Sequence, residues 1–322
     1  MKRTIKNIVL LGAALLASSC SLFQLDNYDA PEETLYGKVV DRNGNPVLTD
    51  QGSEGIRVRL METSWEGNVN PQDFYCMPDG TFRNTKLFEA DYNIRIDGPF
   101  IPIVRETSDG IVIEDNSVNT HIKGSKEVNF VVDPFLNVEL LSSQISNGKI
   151  TAKVRVTRGV SRDAFREAIE PMGDFDPAFA NITDIQLFVG YSSSMGYRNR
   201  DERWSNKIEY AGASFDAHLG EVVEITSLGA IPSNRKVFIR AAARINYDTP
   251  RGTGTKRWNY SQVAEVNVPY QEMKYGAAAF HALAPPFFPF FIIFAQIGNY
   301  EDLSFVGGGC GHCSLCRAEE CR

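Results

Sequence analysis

Gly55-Ile56-Arg57-Val58-Arg59-Leu60-Met61 decides the fold class. Ile56, Val58 and Leu60 fall on one face and Arg57 and Arg59 on the other, the two-residue period of a strand with one buried side. The pattern repeats on both sides of this stretch. Leu35-Tyr36-Gly37-Lys38-Val39-Val40 precedes it, and Ala90-Asp91-Tyr92-Asn93-Ile94-Arg95-Ile96 alternates again after it. Thr81-Phe82-Arg83, Ile111-Val112-Ile113 and Val128-Asn129-Phe130-Val131-Val132 bring the first half to about seven expected strands. Asn43-Gly44 and Asp79-Gly80 are turn dipeptides, because glycine reaches positive φ without steric cost. Frequent turns and no helical period predict a β-sandwich over residues 35–134.

Pro134 marks a boundary with almost no linker, and a second β series follows over 135–269. Its strands are expected at 137–141, 149–157, 184–191, 221–225, 237–244 and 262–268. One helix interrupts them at 161–170: Ser161 can cap it, and Phe165 and Ile169 stand four residues apart on one face. The chain is therefore expected to be all-β, with two consecutive sandwiches. The second is immunoglobulin- or fibronectin-III-like with a short helical insertion.

The two ends differ from this body. Lys2, Arg3 and Lys6 precede an apolar run, 8–16, that is too short to cross a bilayer. Ala17, Ser18 and Ser19 supply the small residues of a cleavage site, and Cys20 follows directly. The order resembles a bacterial lipobox, with Ala17 where a leucine is usual. Residues 1–19 are thus expected to be removed as a signal peptide, Cys20 to be acylated, and 20–34 to act as anchor and tether. The expected location is the outer membrane, at the cell surface or the periplasmic face, held by lipid alone. Beyond Pro269 the composition changes to Pro286-Phe287-Phe288-Pro289-Phe290-Phe291-Ile292-Ile293-Phe294, then Gly307-Gly308-Gly309 and the group Cys310, Cys313, Cys316 and Cys321. Residues 270–322 carry neither period, and are expected to be an irregular or appended tail that the sandwiches do not need.

Composition narrows the function. The 322 residues carry a net charge of −7, which argues against nucleic acid as a partner. No Gly-x-Ser-x-Gly, His-Glu-x-x-His or phosphate-binding loop occurs, and His121, His218, His281 and His312 are scattered. Asp41-x-Asn43-x-Asn45 imitates a calcium loop, but Pro46 stands where glycine is needed and Gly52 where a bidentate glutamate is needed, so a plain turn is expected. No catalytic residue, metal site or cofactor is predicted.

The remaining chemistry is aromatic. Sugar rings present C–H faces that stack on Trp and Tyr, while neighbouring amides and carboxylates bind hydroxyls. Trp65 and Tyr75 bracket a polar stretch, Tyr197 and Trp204 stand in a long loop, and Trp258 and Tyr260 lie near the last strands. These six are the candidate glycan-binding residues.

The motifs Gly37-Lys38-Val39-Val40-Asp41, Gly44-Asn45-Pro46, Gly55 to Leu60, Asp79-Gly80-Thr81-Phe82 and Ala90-Asp91-Tyr92 resemble the prealbumin-like sandwich of carboxypeptidase regulatory domains. Together with the lipobox, the entry segment Asp26-Asn27-Tyr28-Asp29-Ala30-Pro31 and Arg257-Trp258-Asn259-Tyr260-Ser261, the chain resembles domain-of-unknown-function family 3823 of Bacteroidetes lipoproteins. The resemblance covers about residues 22–269 and implies company with SusC/SusD-like glycan importers. It implies a non-catalytic glycan-binding accessory, or alternatively an assembly protein touching other outer-membrane proteins. Cys20 is the first point to test. A radioactive fatty acid is expected to label the wild-type protein and not Cys20→Ala; equal labelling of both would remove the anchor.

Overall fold

The computed structural model describes residues 30–270 apart from Trp65 and Asn68. Cys20 and the segment 271–322 with its cysteines lie outside the described residues. The protein is all-β, and the described residues belong to one compact unit that contains two separate sandwich cores.

The first sandwich contains β1 (Glu33–Val40), β2 (Arg57–Glu62), β3 (Gln72–Tyr75), β4 (Thr81–Leu87) and β5 (Ala90–Asp97). It continues with β6 (Val104–Glu106), β7 (Val112–Asp115), β8 (Val118–Ile122), β9 (Ser125–Glu127) and β10 (Phe130–Val131). In one sheet β1 pairs antiparallel with β4 and parallel with both β9 and β10. The other sheet is antiparallel in the order β3-β2-β5-β8, and β6 and β7 form a separate hairpin. Leu35 and Val39 from the first sheet meet Val58, Leu60, Ile94 and Ile96 from the second in a closed core. The alternation that predicts the strands is the alternation that fills this core.

The second sandwich contains β11 (Leu136–Ser146), β12 (Lys149–Arg158), β13 (Ile182–Gly190) and β14 (Asn206–Glu209). Its remaining strands are β15 (Val222–Thr226), β16 (Arg235–Ile245), β17 (Asn259–Tyr260) and β18 (Ala264–Val268). The sheet β11-β12-β15 faces the sheet β14-β13-β16, whose outer neighbours are β17 and β18. Ile150, Ala152, Val154 and Val156 of β12 are all fully buried. The helix α1 (Arg162–Ile169) lies between β12 and β13. Ser161 caps it by accepting the Ala164 N–H at 3.1 Å, and Phe165 and Ile169 are its buried residues.

Several local details depart from the sequence reading. The expected strand at 128–132 is broken at Val128 and Asn129: β9 and β10 pair with β1 in one continuous register, and between them the Asn129 side-chain Oδ1 accepts the Lys38 N–H at 3.1 Å. The expected 137–141 strand runs on to Ser146 across a bulge between Leu140 and Ser142. At the C-terminal end Tyr260 and Val268 both pair with β16, but through two separate strands. Asp41 holds its turn through its own side chain, with Oδ1 accepting the N–H groups of Asn43 and Asn45 at 2.8 Å each.

A third apolar cluster joins the sandwiches: Phe188, Met195, Ala242, Trp258 and Tyr260 of the second pack with Leu48 of the first. Around it, carbonyl groups of the first sandwich receive donors from the second. Arg240 Nη1 donates to Thr49 O at 2.6 Å and Nη2 to Pro78 O at 3.2 Å. Arg257 Nη1 donates to Ser53 O at 2.7 Å and also to Gly55 O. Thr249 Oγ1 donates to Gly98 O at 2.9 Å, and Asn259 Nδ2 to Pro99 O at 3.0 Å. Each of these carbonyls thus has a donor, as burial of a carbonyl requires.

Asp50 is buried in the same joint and accepts the Tyr197 N–H at 3.0 Å and the Tyr260 hydroxyl. Its Oδ1 has no partner among the described residues. A β-carbon at Gly196 would lie 2.1 Å from Asp50 Cβ, so only glycine permits this approach. Burial outweighs the hydrogen bonds and nearby Arg240, and raises the Asp50 carboxyl above its ordinary value of 3.8. A carboxyl raised on folding adds stability that is complete below the unfolded value and is lost as pH climbs through the folded one. Asp50→Asn is therefore expected to gain stability relative to wild type between pH 4 and pH 7, measured by urea unfolding at both. A stability difference that does not change with pH would contradict this account.

Candidate functional site

The six candidate aromatic residues do not form one site. Trp65 lies outside the described residues. Trp258 and Tyr260 are 1% and 5% exposed, and they are structural residues of the joint. Tyr197 is half-buried there, stacked on Trp258 with centroids 6.0 Å apart. Phe188 meets Trp258 edge-on at 5.8 Å, and the Arg244 guanidinium covers it at 4.3 Å while bound to Asp184. No face of Trp258 remains for a sugar. Trp204 is also buried, in the second core, with the Arg203 guanidinium 4.8 Å above it. The expectation that Trp204, Trp258 and Tyr260 present stacking faces is therefore corrected. The clusters that bury them are built from residues distant in sequence, so burial could not be read from the loops that carry them.

Tyr75 is the candidate that stays exposed, and it stands at the edge of a different feature. The β3-β2-β5-β8 sheet turns Val58, Leu60, Ile94 and Ile96 inward, so the alternate residues form an outer face. Register sets that face row by row. Tyr75 stands opposite Arg57, and Arg57 opposite Asp97. Asp73 stands opposite Arg59, and Arg59 opposite Arg95. Met61 stands opposite Asn93, and Asn93 opposite Asn119.

Hydrogen bonds fix these polar groups. Arg59 grips Asp73 with two bonds of 2.8 Å, and Arg57 grips Asp97 at 2.5 and 3.0 Å and reaches Asp73 at 3.3 Å. The Arg59 bonds hold the Asp73 carboxyl below its ordinary range despite its partial burial. Asn93 Nδ2 donates to Ser117 Oγ at 2.7 Å and Asn119 Oδ1 at 2.9 Å, and its Oδ1 accepts Arg95 Nε at 3.2 Å. Two hollows open on this face and share Arg95 as a wall. One, of about 290 Å³, lies over Arg57, Arg59 and Asp97 and is bounded by Met172, Pro250 and Arg251 of the second sandwich. The other, of about 630 Å³, lies over Met61, Asn93 and Asn119 beneath Gly67 and Val69. Both are near the size range of small-ligand sites.

Sequence reasoning did not single out this face. Arg57, Arg59, Asn93 and Arg95 read there as the solvated side of alternating strands. The signal that unites them is cross-strand register, which one sequence does not display. No group of three or more His, Cys, Asp or Glu side chains suited to a metal ion occurs among the described residues.

The model of the N-terminal domain of a protein family of unknown function, DUF3823, matches residues 33–133. A solved Bacteroides uniformis member of that family is 61% identical, with all of its chain and 74% of this one covered, at a TM-score of 0.72. The chain belongs to the DUF3823 family. A second B. uniformis structure, provisionally described as a carbohydrate binding protein, is 19% identical over 74% of this chain and all of its own, with a TM-score of 0.52. A Parabacteroides merdae DUF3823 protein is 18% identical over the same shares, at 0.50. At such identities the likeness concerns the fold alone. No curated protein matches the chain.

Within this DUF3823 protein the aromatic residues divide into structural and exposed kinds, and stability should separate them. Trp258→Ala is expected to cost about 3–5 kcal/mol, the range for a large buried aromatic. Tyr75→Ala should stay within about 0.5 kcal/mol, as surface changes do. Chemical denaturation of both variants checks the assignment, and a large loss at Tyr75 would reverse it.

Proposed function

We propose that this protein is a lipid-anchored, non-catalytic glycan-binding component of the cell envelope, working beside an outer-membrane glycan importer of the SusC/SusD kind. The observation that carries the glycan part is the outer face of β3-β2-β5-β8. It sets amides, guanidinium groups and carboxylates in fixed rows, with an exposed phenol ring at one edge. Sugar recognition uses these groups: planar polar side chains for paired hydroxyls, and an aromatic ring for a C–H face. The rows are held by their own hydrogen bonds, so little side-chain freedom is lost on binding.

A binding role also suits the carboxylates. Glycoside hydrolysis needs one carboxyl that holds a proton near neutral pH. Asp73 is held ionised by Arg59, so it is not placed to donate a proton. The provisional carbohydrate-binding description of the 19%-identical relative agrees in kind. The anchor rests on the order of residues up to Cys20, and the importer partnership on the family resemblance.

One observation favours a second reading, an assembly protein. Ile111, Val112 and Ile113 at the β6–β7 hairpin are 63%, 57% and 37% exposed, an apolar strip that a protein partner could cover. Affinity electrophoresis separates the two readings. The chain from Ser21 onward is run through gels containing different polysaccharides. At least one glycan is expected to retard the wild type, and Tyr75→Ala combined with Asn119→Ala should abolish the retardation. No retardation by any glycan, with an outer-membrane protein recovered in a pull-down, would favour assembly instead.

A further inference from the structure

The arginines around the first hollow are not equivalent. Arg57 and Arg59 are committed to Asp97 and Asp73. Arg251 is spent on the backbone, with Nη1 donating to Met172 O at 3.2 Å and Nη2 to Asp174 O at 2.9 Å. Arg95 makes a single hydrogen bond, from Nε to the neutral amide of Asn93, and has no ion pair among the described residues. Its two Nη groups have no partner there. The Asn93 amide is itself saturated, since Nδ2 already serves Ser117 and Asn119. Arg95 is thus held at its neck and free at its fork, on the wall between the two hollows.

The acids nearby do not neutralise it. Asp73 and Asp97 are engaged by the other two arginines. Glu106 also lines the first hollow, and no ion pair joins it to Arg95 among the described residues. Asp115 feels the charge of Arg95 but is held first by Ser117. A planar fork with open Nη groups matches an oxyanion, because carboxylate and sulfate accept two parallel N–H bonds.

We propose that Arg95 anchors an acidic group of the glycan: the carboxylate of a uronic acid or the oxygens of a sulfate ester. The inference rests on the glycan-binding reading and names its substrate class. Asn93 is then a positioning residue, since it fixes Nε and so aims the fork. The Asn119 amide in the larger hollow stands beside the position where hydroxyls of the same sugar chain would lie.

The test uses the chain from Ser21 onward and five polymers: polygalacturonate, its fully methyl-esterified form, dextran sulfate, neutral dextran and an unrelated neutral glucan. Affinity gels give the retardation and calorimetry the dissociation constants. The protein carries a net charge of −7, so general attraction does not favour polyanions, and binding to one reports a local site. Polygalacturonate or dextran sulfate should bind at least tenfold more tightly than its neutral counterpart, and which one does so identifies the oxyanion. Arg95→Gln should weaken that binding about tenfold, and Arg95→Lys, which keeps the charge and loses the fork, by an intermediate factor. Arg83→Gln removes the same charge from the opposite sheet and should stay within twofold. Unchanged melting temperatures show that each variant is folded. Equal loss in Arg83→Gln would mean diffuse electrostatics and overturn the site. Equal binding of neutral and acidic polymers, untouched by Arg95→Gln, would overturn the acidic class and leave glycan binding standing. Binding to none of the five would count against the glycan reading itself.

Discussion

Arg240 carries its charge into a place that water does not reach, and the arrangement of the two sandwiches follows from satisfying it. Burial draws its pKa down to about 10, the sign of a guanidinium that has lost solvent. The compensation comes from both halves of the chain. Ser261 O and Met195 O of its own sandwich accept from it at 2.9 and 3.3 Å, and Thr49 O and Pro78 O of the other complete the set. The Tyr260 ring lies 4.3 Å below. Within the closed joint the first sandwich supplies acceptors that the donors of Arg240 and Arg257 would otherwise lack, and a donor left buried there without one would cost about 1–3 kcal/mol. The segment between β1 and β2, from Val47 to Gly55, is therefore part of the second sandwich's support as much as of its own.

This constraint accounts for where the aromatic chemistry went. Tyr197, Trp258 and Tyr260 cover the arginine-rich joint and exclude water from it, so they are unavailable to a ligand. The outer face of β3-β2-β5-β8 is built differently. Its charges are paired in the plane of the sheet, its amides are interlocked, and one guanidinium fork is left over. A rigid joint also gives the smaller hollow its far wall, since Met172, Pro250 and Arg251 reach it from the second sandwich. The joint and the binding face are thus linked, although no joint residue needs to touch the ligand.

Much of the fold was legible before any coordinates. Strict alternation at 56–61, 90–96 and 149–157 named strands that the structure contains, because one-sided burial writes that period into the sequence. Ser161, Phe165 and Ile169 announced the helix for an equally local reason. What escaped was short or non-local. Gln72-Asp73-Phe74-Tyr75 has a single inward residue, Phe74, and reads as a polar loop, yet it forms the edge strand that places Tyr75. Asn206 to Glu209 is likewise too short to show its period. The role of Trp258 depends on Tyr197, sixty-one positions away, and that of Arg240 on Thr49. Such contacts leave no local trace. The candidate site was half visible: Tyr75 stood out as an aromatic, but the rows beside it exist only through register.

The central claim, that the joint makes the two sandwiches one cooperative body, is tested most directly by unfolding with one probe in each half. Cys76 is fully buried in the first core, and burial raises its thiol pKa, so it should resist alkylation until that core opens. In a Trp65→Phe background the two remaining tryptophans, Trp204 and Trp258, report on the second core and the joint. The urea dependence of Cys76 alkylation, read by peptide mass spectrometry, is compared with that of tryptophan fluorescence. The account predicts one transition with a common midpoint. Alkylation of Cys76 at clearly lower urea than the fluorescence change would show that the first sandwich unfolds alone, and would contradict it.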